Sequence, residues 1–101
     1  MSKVSVIAKL PTAPGKRDEL VAAFGPMMEA VNDEAGTEIY ILGLDQADED
    51  VAWVYELYTD SDSMGAHSGS DAMAALIGQL GDLLGGGPEF HILTPAIGKG
   101  L

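Results

Sequence analysis

The sequence predicts an α+β fold, with helices on one face of an antiparallel sheet and elements in the order β-α-β-β-α-β. Three observations carry that reading. Thr37–Leu44 and Val51–Tyr58 are β-rich runs joined by the polar Asp45–Asp50, a connection of hairpin length. A segment with apolar residues at helical spacing stands on each side of that hairpin. Shorter β-rich stretches, Val4–Leu10 and Glu89–Thr94, lie toward the two ends.

The first strand, Val4–Leu10, ends at Pro11, and Pro14-Gly15 marks a turn. From Lys16 to about Asn32, Leu20, Phe24, Met27, Met28 and Val31 fall at i, i+4, i+7, i+8 and i+11, one stripe of a helix. Asp18 and Glu19 occupy its first turn, where the helix dipole favours acids. Pro26 has no N–H to donate to Ala22, so a kink or break is expected at Gly25-Pro26. Gly36 ends the segment. After the hairpin, Thr59–Ser63 is rich in N-cap residues and leads into a short helical turn, Met64–Ser68. Gly69-Ser70-Asp71 interrupts it and restarts a longer helix to Leu84, with Met73, Leu76, Ile77, Leu80 and Leu84 on one stripe. Gly85-Gly86-Gly87-Pro88 stops that helix, Glu89–Thr94 is the last strand, and Ala96–Leu101 reads as a loose tail. This split order is that of a ferredoxin-like fold.

Both hairpin strands are apolar on two faces, whereas a strand with one wet face alternates. The chain supplies helices for one side only, so a second copy is the expected cover for the other. Periodicity puts Ala52, Val54, Glu56 and Tyr58 on one face and Val51, Trp53, Tyr55 and Leu57 on the other. The second set is larger, so it is assigned to the helix layer, with Glu56 pointing into a chamber sealed by the partner.

The 101 residues form one domain, 1–101, with an ordered core of about 4–95. A composition of 47% hydrophobic and 21% charged residues is that of a folded chain. No cysteine is present, which excludes disulfides and thiolate chemistry. The net charge of −11, from 16 acids and 5 bases, argues against nucleic acid and anionic membranes as partners. No apolar run approaches the ~20 residues a membrane span needs, and the N-terminal apolar stretch is short for a signal, so a soluble, cytoplasmic protein is expected. The histidines and acids have no metal-ligand spacing, the glycine cluster follows a helix instead of preceding one, and no serine stands in Gly-x-Ser-x-Gly.

A carboxylate such as Glu56 within an apolar strand needs a partner, a hydrogen bond, water or a proton. His67 follows that strand closely, and a Glu56–His67 pair would fix the imidazole tautomer for general-base work. The alternatives are a Glu56 satisfied across a dimer seam and a His67 that merely caps a helix. His91 shares a face of the last strand with Glu89 and Leu93. Met27, Met28 and Met73 read as core, whereas Met64 stands beside the expected chamber.

Pro14-Gly15-Lys16, Glu34-Ala35-Gly36-Thr37, Tyr40, Glu56-Leu57-Tyr58-Thr59-Asp60 and His67 together resemble the antibiotic biosynthesis monooxygenase (quinol monooxygenase-like) domains, from about Val4 to Pro95. The resemblance implies a homodimer, a dimeric α/β barrel in which two sheets face each other, with a small pocket in each protomer. It also implies oxygenation of a phenol, hydroquinone or anthrone with no flavin, haem or metal, hence no cofactor. By that resemblance His67 is the base or proton relay, Glu56 its orienting partner, and Tyr58, Met64, Val54 and Tyr40 bind the substrate. Tyr58 stands where family members often carry tryptophan. Haem-degrading relatives use asparagine, tryptophan and histidine where this chain has Ala8, His67 and Ile77, which disfavours haem degradation. The competing functions are a non-catalytic small-ligand-binding barrel and an isomerase or lactone-processing enzyme using the same acid–base pair.

Overall fold

In the computed structural model, which describes residues 2–101, four strands form one antiparallel sheet. They are β1 (Val4–Pro11), β2 (Thr37–Leu44), β3 (Val51–Tyr58) and β4 (Glu89–Leu93), in the spatial order β2-β3-β1-β4. The helices are α1 (Arg17–Ala23), α2 (Gly25–Ala30), α3 (Ser61–Ser68) and α4 (Asp71–Leu80), with a 3₁₀ turn at Val31–Asp33. The fold is ferredoxin-like, and none of the described helices is long and apolar enough to cross a membrane.

The first helical segment breaks where proline requires it. Phe24 N–H reaches back to Leu20 and Val21 carbonyls at 3.3 and 3.1 Å, and α2 then starts with Pro26 in its first turn. There the missing N–H has no intrahelical partner to lose. Leu20, Phe24 and Met27 keep one buried stripe across the break. The second segment differs from expectation at both ends. Asp60 Oδ1 accepts from Ser63 N–H at 2.8 Å, so α3 starts three residues before Met64. The α4 helix ends at Leu80, and its last carbonyl takes the Leu83 and Leu84 N–H groups in a tight turn. Gly85 then donates to the Pro11 carbonyl at 3.0 Å, tying that turn to the end of β1.

The strand faces are the reverse of the assignment made from side-chain size. Register pairs Val6 with Glu56 and Ile92, and Ala8 with Val54 and Phe90. Directly paired residues share a face, and this one meets the helices: Ala8, Leu10, Ala52 and Val54 pack with Leu20, Ala23, Phe24, Met27 and Leu76. The small Ala8 and Ala52 let the helices approach closely. The bulky set stays on the open face, where Tyr55 is 45% exposed and Trp53 Nε1 donates to Asp45 Oδ2 at 2.8 Å. Glu56 and Tyr58 therefore point under the helices, and no partner subunit is needed to enclose them.

Candidate active site

The space between sheet and helices is not filled. A cavity of about 330 Å³ lies there, walled by Val6, Ala8 and Val54 of the sheet and by Met64, Met73 and Leu76 of α3 and α4. Edge strand β4 and α4 form its rim, with Ile77, Phe90 and Ile92 exposed by 60, 62 and 65%. Its polar groups are Tyr40, Glu56, His67 and Ser68, and no lysine or arginine lines it.

The His67 ring is 1% exposed and held on several sides. Nδ1 lies 2.8 Å from Glu34 Oε1, which also accepts from the Thr37 hydroxyl at 2.7 Å. A carboxylate only accepts, so the proton of a neutral imidazole belongs on Nδ1 and the lone pair on Nε2. Nε2 is the one buried side-chain polar atom without a hydrogen-bond partner among the described residues. Tyr40 and Tyr58 rings, tilted to the imidazole at centroid distances of 4.8 and 5.5 Å, fix its plane. Ser70 anchors the helix end below it, its hydroxyl donating to the His67 carbonyl at 2.8 Å while accepting from Met73 N–H at 3.2 Å.

Glu34 reaches the ring because of a tight turn. Glu34 N–H donates to the Val31 carbonyl at 3.1 Å, and Thr37 N–H donates to the Glu34 carbonyl at 3.0 Å. Gly36 in that turn lies against the first turn of α3, and a Cβ there would collide with the Ser63 side chain. The absence of a side chain at Gly36 thus sets how closely the two carriers of the Glu34–His67 pair approach.

Glu56 has a different partner, the Tyr58 hydroxyl, which donates to its Oε1. Burial pushes the Glu56 carboxyl above the usual carboxylate range, against the opposing pull of the Tyr58 bond and of His67. Burial likewise raises the Tyr40 and Tyr58 phenols, reinforced by the charge of nearby carboxylates, so both remain neutral donors.

Five of the residues selected from sequence, His67, Glu56, Val54, Tyr40 and Met64, meet on this cavity. Tyr58 does not line it; fully buried, it packs behind His67 and holds Glu56. The carboxylate on Nδ1 is Glu34 and not the expected Glu56, because Glu56 is engaged by Tyr58. Glu34 was missed as a site residue, although it belongs to the motif that carries the resemblance. Its signal was the Glu-x-Gly-Thr turn, which cannot run on as helix and turns its carboxylate back. His91 pairs with Ile7 on the open face, away from the cavity.

A ferredoxin-like sheet and helix layer thus flank an apolar cavity with a carboxylate-held histidine in its wall. The family follows from comparison: the family model for antibiotic biosynthesis monooxygenase matches residues 3–79, and the chain belongs to that family. Among solved structures it is similar to a Caulobacter crescentus CB15 protein, provisionally named an antibiotic biosynthesis monooxygenase, at TM-score 0.89 and 27% identity over 95% of this chain and 92% of that one. It is also similar to Rv0793 from Mycobacterium tuberculosis, at TM-score 0.88 and 26% identity over 97% and 99% of the two chains. A Chloroflexus aurantiacus J-10-fl protein with the same provisional name gives TM-score 0.81 and 26% identity over 98% of each chain. No curated protein matches the chain significantly in sequence.

Proposed function

We propose that the protein is a cofactor-independent monooxygenase that oxidises a small, uncharged, electron-rich aromatic of the phenol, hydroquinone or anthrone type with dioxygen. The observation that carries this reading is His67: Nδ1 held by Glu34, Nε2 without a protein partner, the ring in the wall of an apolar cavity. His67 takes the acidic proton, and Glu34 stabilises the imidazolium that results. The substrate anion then reduces dioxygen directly. For an anthrone-type CH₂ the products are a new carbonyl and water, so both oxygen atoms are accounted for. Apolar walls hold the ring and keep water from the intermediate. A cavity without lysine or arginine disfavours substrates that carry a carboxylate or phosphate.

A homodimer belongs to the same proposal. Ile41 at 56%, Tyr55 at 45% and Leu93 at 45% exposure form an apolar open sheet face, which a second copy covers. That face lies on the other side of the sheet from the cavity walls named above. Oxygen uptake with a panel of hydroquinones and anthrones tests the reading. Wild type consumes oxygen, and His67→Ala is slower by roughly 10²–10⁴-fold, the usual contribution of a positioned base. Equal rates would remove His67 from the chemistry; no uptake with any substrate would overturn the oxygenase reading.

A further inference from the structure

The oxygenation chemistry leaves one buried titratable group without a task. Glu56 stands on the sheet wall of the cavity and His67 on the helix wall, and the two are not bonded to each other. Their partners differ in kind. The partner of His67 is an acceptor, which leaves a lone pair on Nε2. The partner of Glu56 is a donor that occupies Oε1 and leaves Oε2 as the place for a carboxyl proton. One group is arranged to take a proton and the other to give one.

We propose that the same cavity also catalyses a reaction that needs no dioxygen: enolisation, and through it isomerisation, of a small uncharged carbonyl compound. His67 Nε2 removes the proton next to the carbonyl, and Glu56 protonates the carbonyl oxygen. The proposal rests on His67 being the base, as in the proposed function, and assigns Glu56 a catalytic role of its own. Burial supports it by favouring the protonated carboxyl. So does the absence of lysine and arginine from the lining, because an enolate oxygen formed here meets neither and needs a proton donor.

The step balances without an oxidant. The α-C–H bond breaks, its electron pair becomes the C=C bond, and the C=O π pair moves to oxygen, which takes the Glu56 proton. His67 becomes imidazolium against the Glu34 carboxylate. Return of that proton to a different carbon, with the hydroxyl proton going back to Glu56, gives the isomer and restores both groups.

The test is deuterium incorporation, followed by NMR, into anthrone, 2-tetralone and 3-cyclohexen-1-one in oxygen-free D₂O. Oxygen uptake with hydroquinones is measured on the same protein samples. Wild type is expected to speed exchange over buffer by at least about 10²-fold with at least one probe. His67→Ala returns it to the buffer rate, and Glu56→Gln loses about 10-fold or more while Glu56→Asp recovers part. Circular dichroism melts confirm that each variant is folded. Exchange without oxygen uptake would uphold the proposal and defeat the oxygenase reading. Oxygen uptake without exchange, or exchange indifferent to Glu56→Gln, would overturn the proposal and spare that reading. Failure of both assays in folded protein would overturn both.

Discussion

At the scale of single residues, the site depends on which proton partner each group has. Glu34→Gln keeps the shape of the Nδ1 contact but removes the charge that stabilises imidazolium, so oxygen uptake should fall by about 10-fold or more, less than in His67→Ala. An unchanged rate would show that the 2.8 Å contact serves structure alone. Glu56 makes a prediction about stability. Its folded-state pKa is raised above the ordinary 4.5 mainly by burial, so the native state is favoured at pH below 4.5 and loses ground as pH rises through the folded value. Glu56→Gln cannot ionise, so its melting temperature relative to wild type should climb across that window. A difference independent of pH would contradict the assignment. Sequence drew attention to Glu56 and His67 because a carboxylate in an apolar strand and a histidine just after it are both unusual. It could not say that they take different partners, since that depends on a turn bringing Glu34 to the ring from 33 positions away.

At the scale of elements, the order of strands and helices and the break at Pro26 were legible because caps, proline and periodicity act locally. Which face of β3 meets the helices was not, because that strand is apolar on both. The signal lay in β1, where the polar Ser5 and Lys9 share a side with Ile7, opposite the wholly apolar Val4, Val6, Ala8 and Leu10. Antiparallel register then transfers that choice to β3 through the Val6–Glu56 pair. Size was a poor guide, since the small Ala52 and Val54 permit close helix packing while Trp53 finds a partner in Asp45. The α3–α4 junction gives a test. Ser70 caps α4 and also holds the His67 carbonyl, so Ser70→Ala should cost about 1 kcal/mol in chemical denaturation. It should also lower oxygen uptake more than an Ala substitution at the exposed Gln79 on the same helix. A stability loss with no kinetic change would confine Ser70 to capping.

For the whole molecule, the cavity and the open face lie on opposite sides of the sheet. Ile41 and Tyr55 stand on the face opposite the cavity, and Ile41→Glu should convert the proposed dimer to monomer in analytical ultracentrifugation without emptying the cavity of its walls. A wild type that is already monomeric at micromolar concentration would overturn the proposed dimer and leave the His67 site standing. The charge of −11 is carried outside the cavity lining except at Glu56, so a neutral substrate escapes the repulsion that an anionic one meets on approach.

The proposed site depends on a carboxylate that holds the proton on one nitrogen of His67 and leaves the other able to accept. ¹⁵N NMR of protein with labelled histidine reads this directly, with His67 assigned by its loss in His67→Gln. At a pH where the ring is neutral, the result predicted is a proton on Nδ1, with Nε2 at the shift of an unprotonated nitrogen. A neutral ring with its proton on Nε2 would contradict the claim, and with it the base on which both proposed reactions rely.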